Sequence, residues 1–131
     1  MINLRIISEV IGSPEGHVNK TIDLLLERIK ERKELKLLKE TKFEAKKMEN
    51  SQLFSGFIEY EIEFQNIESI VGFCFDFMPS SIEVMEPLAL SMSAAATGDL
   101  FNELLARLHQ NDLFLRNMIA ELKMLKQKSV Q

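Results

Sequence analysis

The sequence is poor in the residues that build most small reactive sites. A single cysteine, Cys74, in 131 residues excludes an intramolecular disulfide and any cysteine-cluster metal centre. Two histidines, His17 and His109, leave little material for a zinc site. No metal and no cofactor is therefore expected. The longest uncharged stretch, Pro87 to Gly98, is 12 residues, far short of the roughly 20 needed to span a bilayer. The opening Met1-Ile2-Asn3-Leu4-Arg5 lacks the character of a signal peptide. The expectation is a cytoplasmic protein without a membrane partner. Basic residues are missing too, over a long interval: no Lys or Arg occurs between Lys47 and Arg107.

What is present describes a globular chain. Apolar residues make up 46% and charged residues 27%, which argues against wholesale disorder. The length suits one real core but not two. The net charge of −4 hides a partition. Residues 1–48 carry 11 basic and 8 acidic groups, residues 49–92 none and 8, and residues 93–131 carry 5 and 4.

Residues 2–11 alternate as a strand, with Ile2, Leu4, Ile6 and Val10 on one face and Ser8 as the exception. Ile7 and Ile11 face the other way, so the strand is expected to be central or covered on both sides. Ser13 and Pro14 predict a helix start, Ser13 as cap and Pro14 as first helical residue. That helix runs to about Arg32 with Val18, Ile22, Leu25, Leu26 and Ile29 as its apolar stripe. Residues 35–47 alternate again, with Leu35, Leu37, Thr41, Phe43 and Ala45 on one face. A turn at Met48 to Gln52 leads into the cleanest strand of the chain. Phe54, Gly56, Ile58, Tyr60, Ile62 and Phe64 face one way; Phe57, Glu59, Glu61 and Glu63 face the other. The two strands predict a hairpin whose lysines Lys36, Lys42 and Lys46 neutralise the glutamates. Asn66 is the expected cap of a second helix with the stripe Ile67, Ile70, Val71, Cys74, Phe77 and Met78. Pro79 ends it, and Ile82 to Met85 is a short strand. The order β-α-β-β-α-β predicts an α+β fold, a ferredoxin-like plait with both helices on one face of an antiparallel sheet.

The last third is of another kind. After a Ser/Ala linker, Ser91 to Thr97, a helical pattern begins near Asp99. Phe101, Leu104, Leu108, Asn111, Leu115, Met118, Leu122 and Leu125 are spaced alternately three and four apart, a heptad seam. Leu100, Leu105, Phe114 and Ile119 widen it. One helix over 99–128 is about 45 Å long, against a radius of gyration near ~14 Å for a compact domain of this size. Its apolar stripe must then be covered by another copy, or the segment must break at Gln110-Asn111-Asp112 into a hairpin. The expected organisation is a ferredoxin-like domain over 1–90 and, over 91–131, a C-terminal helical segment, long helix or helical hairpin, that makes a homo-oligomer. A dimer or a larger assembly fits.

Few groups are candidates for chemistry. Glu59, Glu61 and Glu63 share a strand face, where alternate carboxylates bind cations or exchange protons. A solvated face paired with lysines explains them as well. His109 follows the seam residue Leu108 and could touch a partner or a ligand. Cys74, between Phe73 and Phe75 and far from any cation in sequence, reads as core rather than as a reactive thiolate. Met78, Met85 and Met92 with the phenylalanines read as core packing before a soft pocket. The Gly12 to Gly16 turn lacks the Lys and Ser/Thr of a phosphate loop. The glutamate face repels phosphate, so no nucleic acid is expected through the sheet.

The stretch Phe57-Ile58-Glu59-Tyr60-Glu61-Ile62-Glu63-Phe64, then Ile67 to Phe73, then Ser80 to Pro87, resembles the strand-helix-strand of the C-terminal extension of WYL-domain transcriptional regulators. The likeness over residues 57–87 implies a ferredoxin-like form. The winged helix and the WYL module have no counterpart here, so regulator function and ligand residues do not carry over. The whole chain also resembles an uncharacterised prokaryotic, archaeal small-protein family. Three functions are carried forward. The first is a non-catalytic self-assembling interaction or scaffold protein, with a protein partner beyond itself possible. The others are a small-molecule-sensing regulatory domain and a small enzyme using Glu59 or Glu61 with His109.

Overall fold

Strict alternation in the first ten residues builds β1, Ile2–Gly12. Its even positions Ile2, Leu4, Ile6 and Ser8 are buried. A computed structural model describes residues 1–130. In it follow α1 (Glu15–Glu31), β2 (Lys36–Lys47), β3 (Phe54–Phe64), α2 (Ile67–Phe77), β4 (Ser81–Glu86) and α3 (Ala94–Val130). The four strands form one sheet in the order β2-β3-β1-β4, antiparallel throughout. This is the ferredoxin-like arrangement, with β1 and β3 central. The chain divides into two compact units, Met1–Leu90 and Ser91–Gln131.

In the first unit the core lies on one sheet face. Val18, Ile22, Leu26 and Ile29 of α1 meet Leu4, Ile6, Ile58, Tyr60, Ile62 and Phe64 of the sheet. The close approach of α1 to β3 depends on Gly56. A Cβ there would lie 2.7 Å from Ile22 Cδ1 and 3.2 Å from Val18 Cγ1. Gly56→Val is expected to cost about 1–3 kcal/mol, as overpacking does, read as a lowered urea midpoint at unchanged slope. Gly56→Ala costs less, because the Ile22 terminus can rotate away.

The start of α1 differs from expectation. Pro14, not Ser13, is the cap residue, and no side chain caps the helix. The Pro14 carbonyl instead accepts from the N–H groups of His17 and Val18, at 3.0 and 3.2 Å.

β2 also differs. Its pairing with β3 shifts register between Leu37 and Lys39 and again between Phe43 and Lys46. An extra residue reverses the phase of a strand. Between the two shifts, Thr41 and Phe43 therefore oppose Glu59 and Phe57 on the outer face, whereas Leu37 and Ala45 stay with the core. Phe43 stacks on Phe57 with ring centroids 4.4 Å apart. The same reversal turns Glu40 and Lys42 towards α1. Glu40 meets Lys30 at 3.2 Å, and Lys42 pairs with Asp23. Hydrogen bonding to Asp23 holds the Lys42 ammonium above its ordinary range.

Asn66 caps α2 as expected: its side chain accepts from the Ser69 N–H at 2.8 Å. The buried face of α2 is centred on Phe73, which the expected stripe omits. Phe73 is 1% exposed and packs edge-on against Phe64 and Tyr60. Ile67, Ile70 and Phe77 flank it. Met78, expected in the stripe, takes a left-handed conformation at the helix end and is 81% exposed. Cys74 is only half-buried, and burial pushes its thiol up, away from thiolate reactivity.

The buried serine in β1 has a partner. Ser8 Oγ and Tyr60 Oη share a hydrogen bond of 2.7 Å, and among the described residues no buried side-chain polar atom lacks one. Burial pushes the Tyr60 phenol up to about 12, against about 10 when unfolded. A raised folded pKa stabilises in full below the unfolded value and is lost as pH rises through the folded one. Stability is thus expected to hold to about pH 10 and to fall by about 2–3 kcal/mol as pH rises to 12. Tyr60 is the only tyrosine, so tyrosinate absorbance follows it alone. Folded protein should titrate near 12; a midpoint at the unfolded value would contradict the buried pair.

Candidate functional site

Two surfaces carry the residues that the sequence singles out. On the outer sheet face, the odd phase of β3 presents Glu59, Glu61 and Glu63 in a row. The basic residues missing from the neighbouring sequence come from other strands. Arg5 on β1 bonds Glu59 at 3.2 Å and Glu83 of β4 at 3.4 Å. Lys36 on β2 bonds Glu63 at 3.4 Å. Arg5 is the functional-looking residue that pattern reading missed; its odd position in β1, out of phase with Leu4 and Ile6, was the signal. A hollow bordered by Arg5, Lys39, Thr41, Glu59 and Glu61 encloses about 140 Å³, less than the roughly 300 Å³ where ligand pockets begin. With Glu59 and Glu63 paired to Arg5 and Lys36 beside so small a hollow, this face is a largely charge-paired sheet surface. Among the described residues no three His, Cys, Asp or Glu side chains are placed to hold a metal.

The second surface is α3. It begins five residues before the expected Asp99, inside the stretch read as linker. Ser93 explains the start: its side chain accepts from the Ala96 N–H at 3.1 Å, and its carbonyl accepts from the Thr97 hydroxyl at 2.8 Å. Ala94, Ala95 and Ala96 then enter the helix at the lowest conformational cost. The helix continues for 37 residues without interruption, about 55 Å at 1.5 Å per residue. The expected alternative, a hairpin broken at Gln110-Asn111-Asp112, is overturned. Asp112 does not turn the chain but bonds Arg116 at 3.0 Å, one helical turn on, and Glu103 bonds Arg107 at 3.7 Å in the same sense. An acid four residues before a base supports a helix, and these pairs lie on either side of the weak helix former Asn111. No helix among the described residues is long and apolar enough to cross a membrane.

A single helix sets the heptad residues in one stripe. Phe101, Leu108, Leu115, Met118, Leu122 and Leu125 are exposed, from 50% at Leu108 to 64% at Leu125, and Leu104 reaches 36%. Asn111 is exposed within the stripe. Leu105, Phe114 and Ile119 extend it on both flanks. Leu113 and Met124 are exposed as well but fall outside it. Twelve large apolar side chains of α3 thus meet solvent, where water exacts a continuing cost that burial removes. His109 lies beside this stripe and is exposed. The glutamate row and His109 belong to different compact units.

The chain matches the MJ0538 family over residues 3–128, so the match takes in both the sheet and the long helix. It is also similar to "Uncharacterized protein MJ0538" of Methanocaldococcus jannaschii, with 30% identity over 94 residues. Those residues are 72% of this chain and 35% of the relative; the chain spans about a third of the length of the curated relative that it matches. No solved structure matches.

Proposed function

Taking as premise that the chain belongs to the MJ0538 family, a membership that brings no activity with it, we propose that it is a non-catalytic self-assembling interaction protein, with α3 as its assembly element. The observation that supports this reading is the heptad stripe from Phe101 to Leu125, exposed along an unbroken helix. Contiguous apolar surface on that scale marks association. Spacing of three and four is the pattern by which two helices cover each other's stripes. Most helical stability in proteins comes from packing of an apolar face, so association also stabilises α3. The plait is then the part held at a fixed valency, in the cytoplasm, and its charge-paired sheet face remains open to a further protein partner. The likeness of residues 57–87 to the extension of WYL regulators adds no function, because the family match spans that stretch and leads elsewhere.

Thermal unfolding of the full chain, followed by helical circular dichroism over a hundredfold range of concentration, tests the proposal. Helices held by association melt at higher temperature as concentration rises. A melting curve independent of concentration across the range contradicts it.

A further inference from the structure

We infer that copies of α3 pair parallel and in register, an arrangement that rests on the self-assembly proposed above and adds its orientation. In a parallel pair, a residue one position before the a site faces the residue five places later on the other helix. With Phe101 at an a site, four such crossings lie within the stripe. Leu100 meets Leu105 of the second copy, and Phe114 meets Ile119. Arg107 meets Asp112, and Glu121 meets Lys126. Apolar therefore falls on apolar and base on acid at every crossing. Arg107 and Asp112 each also hold a partner on their own helix, so the crossings join local pairs into a short network. Asn111 meets Asn111, where each side-chain amide can donate to the other's carbonyl.

The antiparallel alternative, aligned over the same seam from Phe101 to Leu125, fits less well. It keeps Arg107 near Glu121, but it sets Asn111 against Leu115, leaving a polar amide in the seam without a partner. It also sets Asp112 against Asp112, two like charges across the contact. The single polar residue of the seam thus acts as a register mark.

Spin labels at either end of α3 test the orientation in the full chain. Cys74→Ala removes the native thiol, and Asp99→Cys or Gln127→Cys places one label per copy on the outer side. Dipolar spectroscopy of the parallel arrangement gives short distances for both variants, below about 30 Å. The antiparallel arrangement places like labels 28 residues apart along the axis, about 42 Å, for both, and overturns the inference while leaving self-assembly standing. Absence of dipolar coupling at concentrations where the unlabelled chain is assembled overturns it too. A monomeric unlabelled chain overturns the self-assembly itself.

Charge exchange gives a second reading without labels. Glu121→Lys and Lys126→Glu should each weaken assembly about three- to tenfold, because like charges then face each other. Mixed in equal amounts, the two variants regain opposite charges at both outer crossings, and native affinity should return. A mixture no tighter than the separate variants contradicts the parallel pairing.

Discussion

The double variant Leu108→Asp/Leu115→Asp is expected to be a monomer with an intact plait. Both leucines occupy the centre of the exposed stripe, and each is worth about 1.5–3 kcal/mol when covered. Two copies lose four such side chains. Each is already about half covered, so even at the lower figure about 3 kcal/mol disappears, and association weakens by roughly two orders of magnitude. Aspartate adds like-charge repulsion in place of the lost contact. The plait should be untouched, because neither residue belongs to its core cluster. Its integrity can be read from Tyr60, whose fluorescence and high phenol pKa report the buried pair with Ser8. Leu113→Asp is the control: it is more exposed than either leucine but lies off the stripe, and it should leave assembly unchanged. Loss of the plait signal in the double variant would show that the stripe serves the fold rather than a second copy.

The largest effect on folding is expected at Phe73. Its ring is the one fully buried side chain of α2, and it meets Phe64 at 5.5 Å, Tyr60 at 6.3 Å and Phe77 at 4.8 Å between centroids. Truncating a buried phenylalanine costs about 3–5 kcal/mol, from lost transfer free energy and the cavity left behind. A domain of this size is stable by only about 5–15 kcal/mol, so Phe73→Ala should remove from about a fifth to all of the stability. Ile67, Ile70 and Phe77 pack only partly buried against the core, and exposed polar ties such as the 3.0 Å bond from Arg32 to Asp76 contribute little. Denaturant unfolding of Phe73→Ala against Phe75→Ala checks this, since Phe75 is not part of the core cluster. Equal losses at both positions would contradict the placement of α2.

Much of this architecture was legible because local chemistry and tertiary placement agree. β3 alternates without a break, and its core face is the one that alternation names. Asn66 announces α2 through its own side chain. The strand order follows from the element order and the handedness of the connections. The failures have particular causes. A bulge leaves no mark in an alternating pattern, so Thr41 and Phe43 were set on the wrong side of β2. The α2 segment is apolar on most sides, and a helical period drawn through Cys74 looked as good as one through Phe73. Only the sheet beneath decides between them. Arg5 was overlooked because its partners, Glu59 and Glu83, lie more than fifty residues away in the chain. The start of α3 was misplaced because Ser and Ala near Ser93 suit a linker and a capped helix equally. The stripe of α3 was visible in full, since a seam of spacing three and four is written along one element and needs no other to define it.

Sedimentation equilibrium of the full chain at tens of micromolar tests the central claim most directly. Self-assembly through α3 predicts a mass at least twice the 15.1 kDa of one chain, falling towards one chain on dilution and in the Leu108→Asp/Leu115→Asp variant. A mass of one chain at every concentration would contradict it.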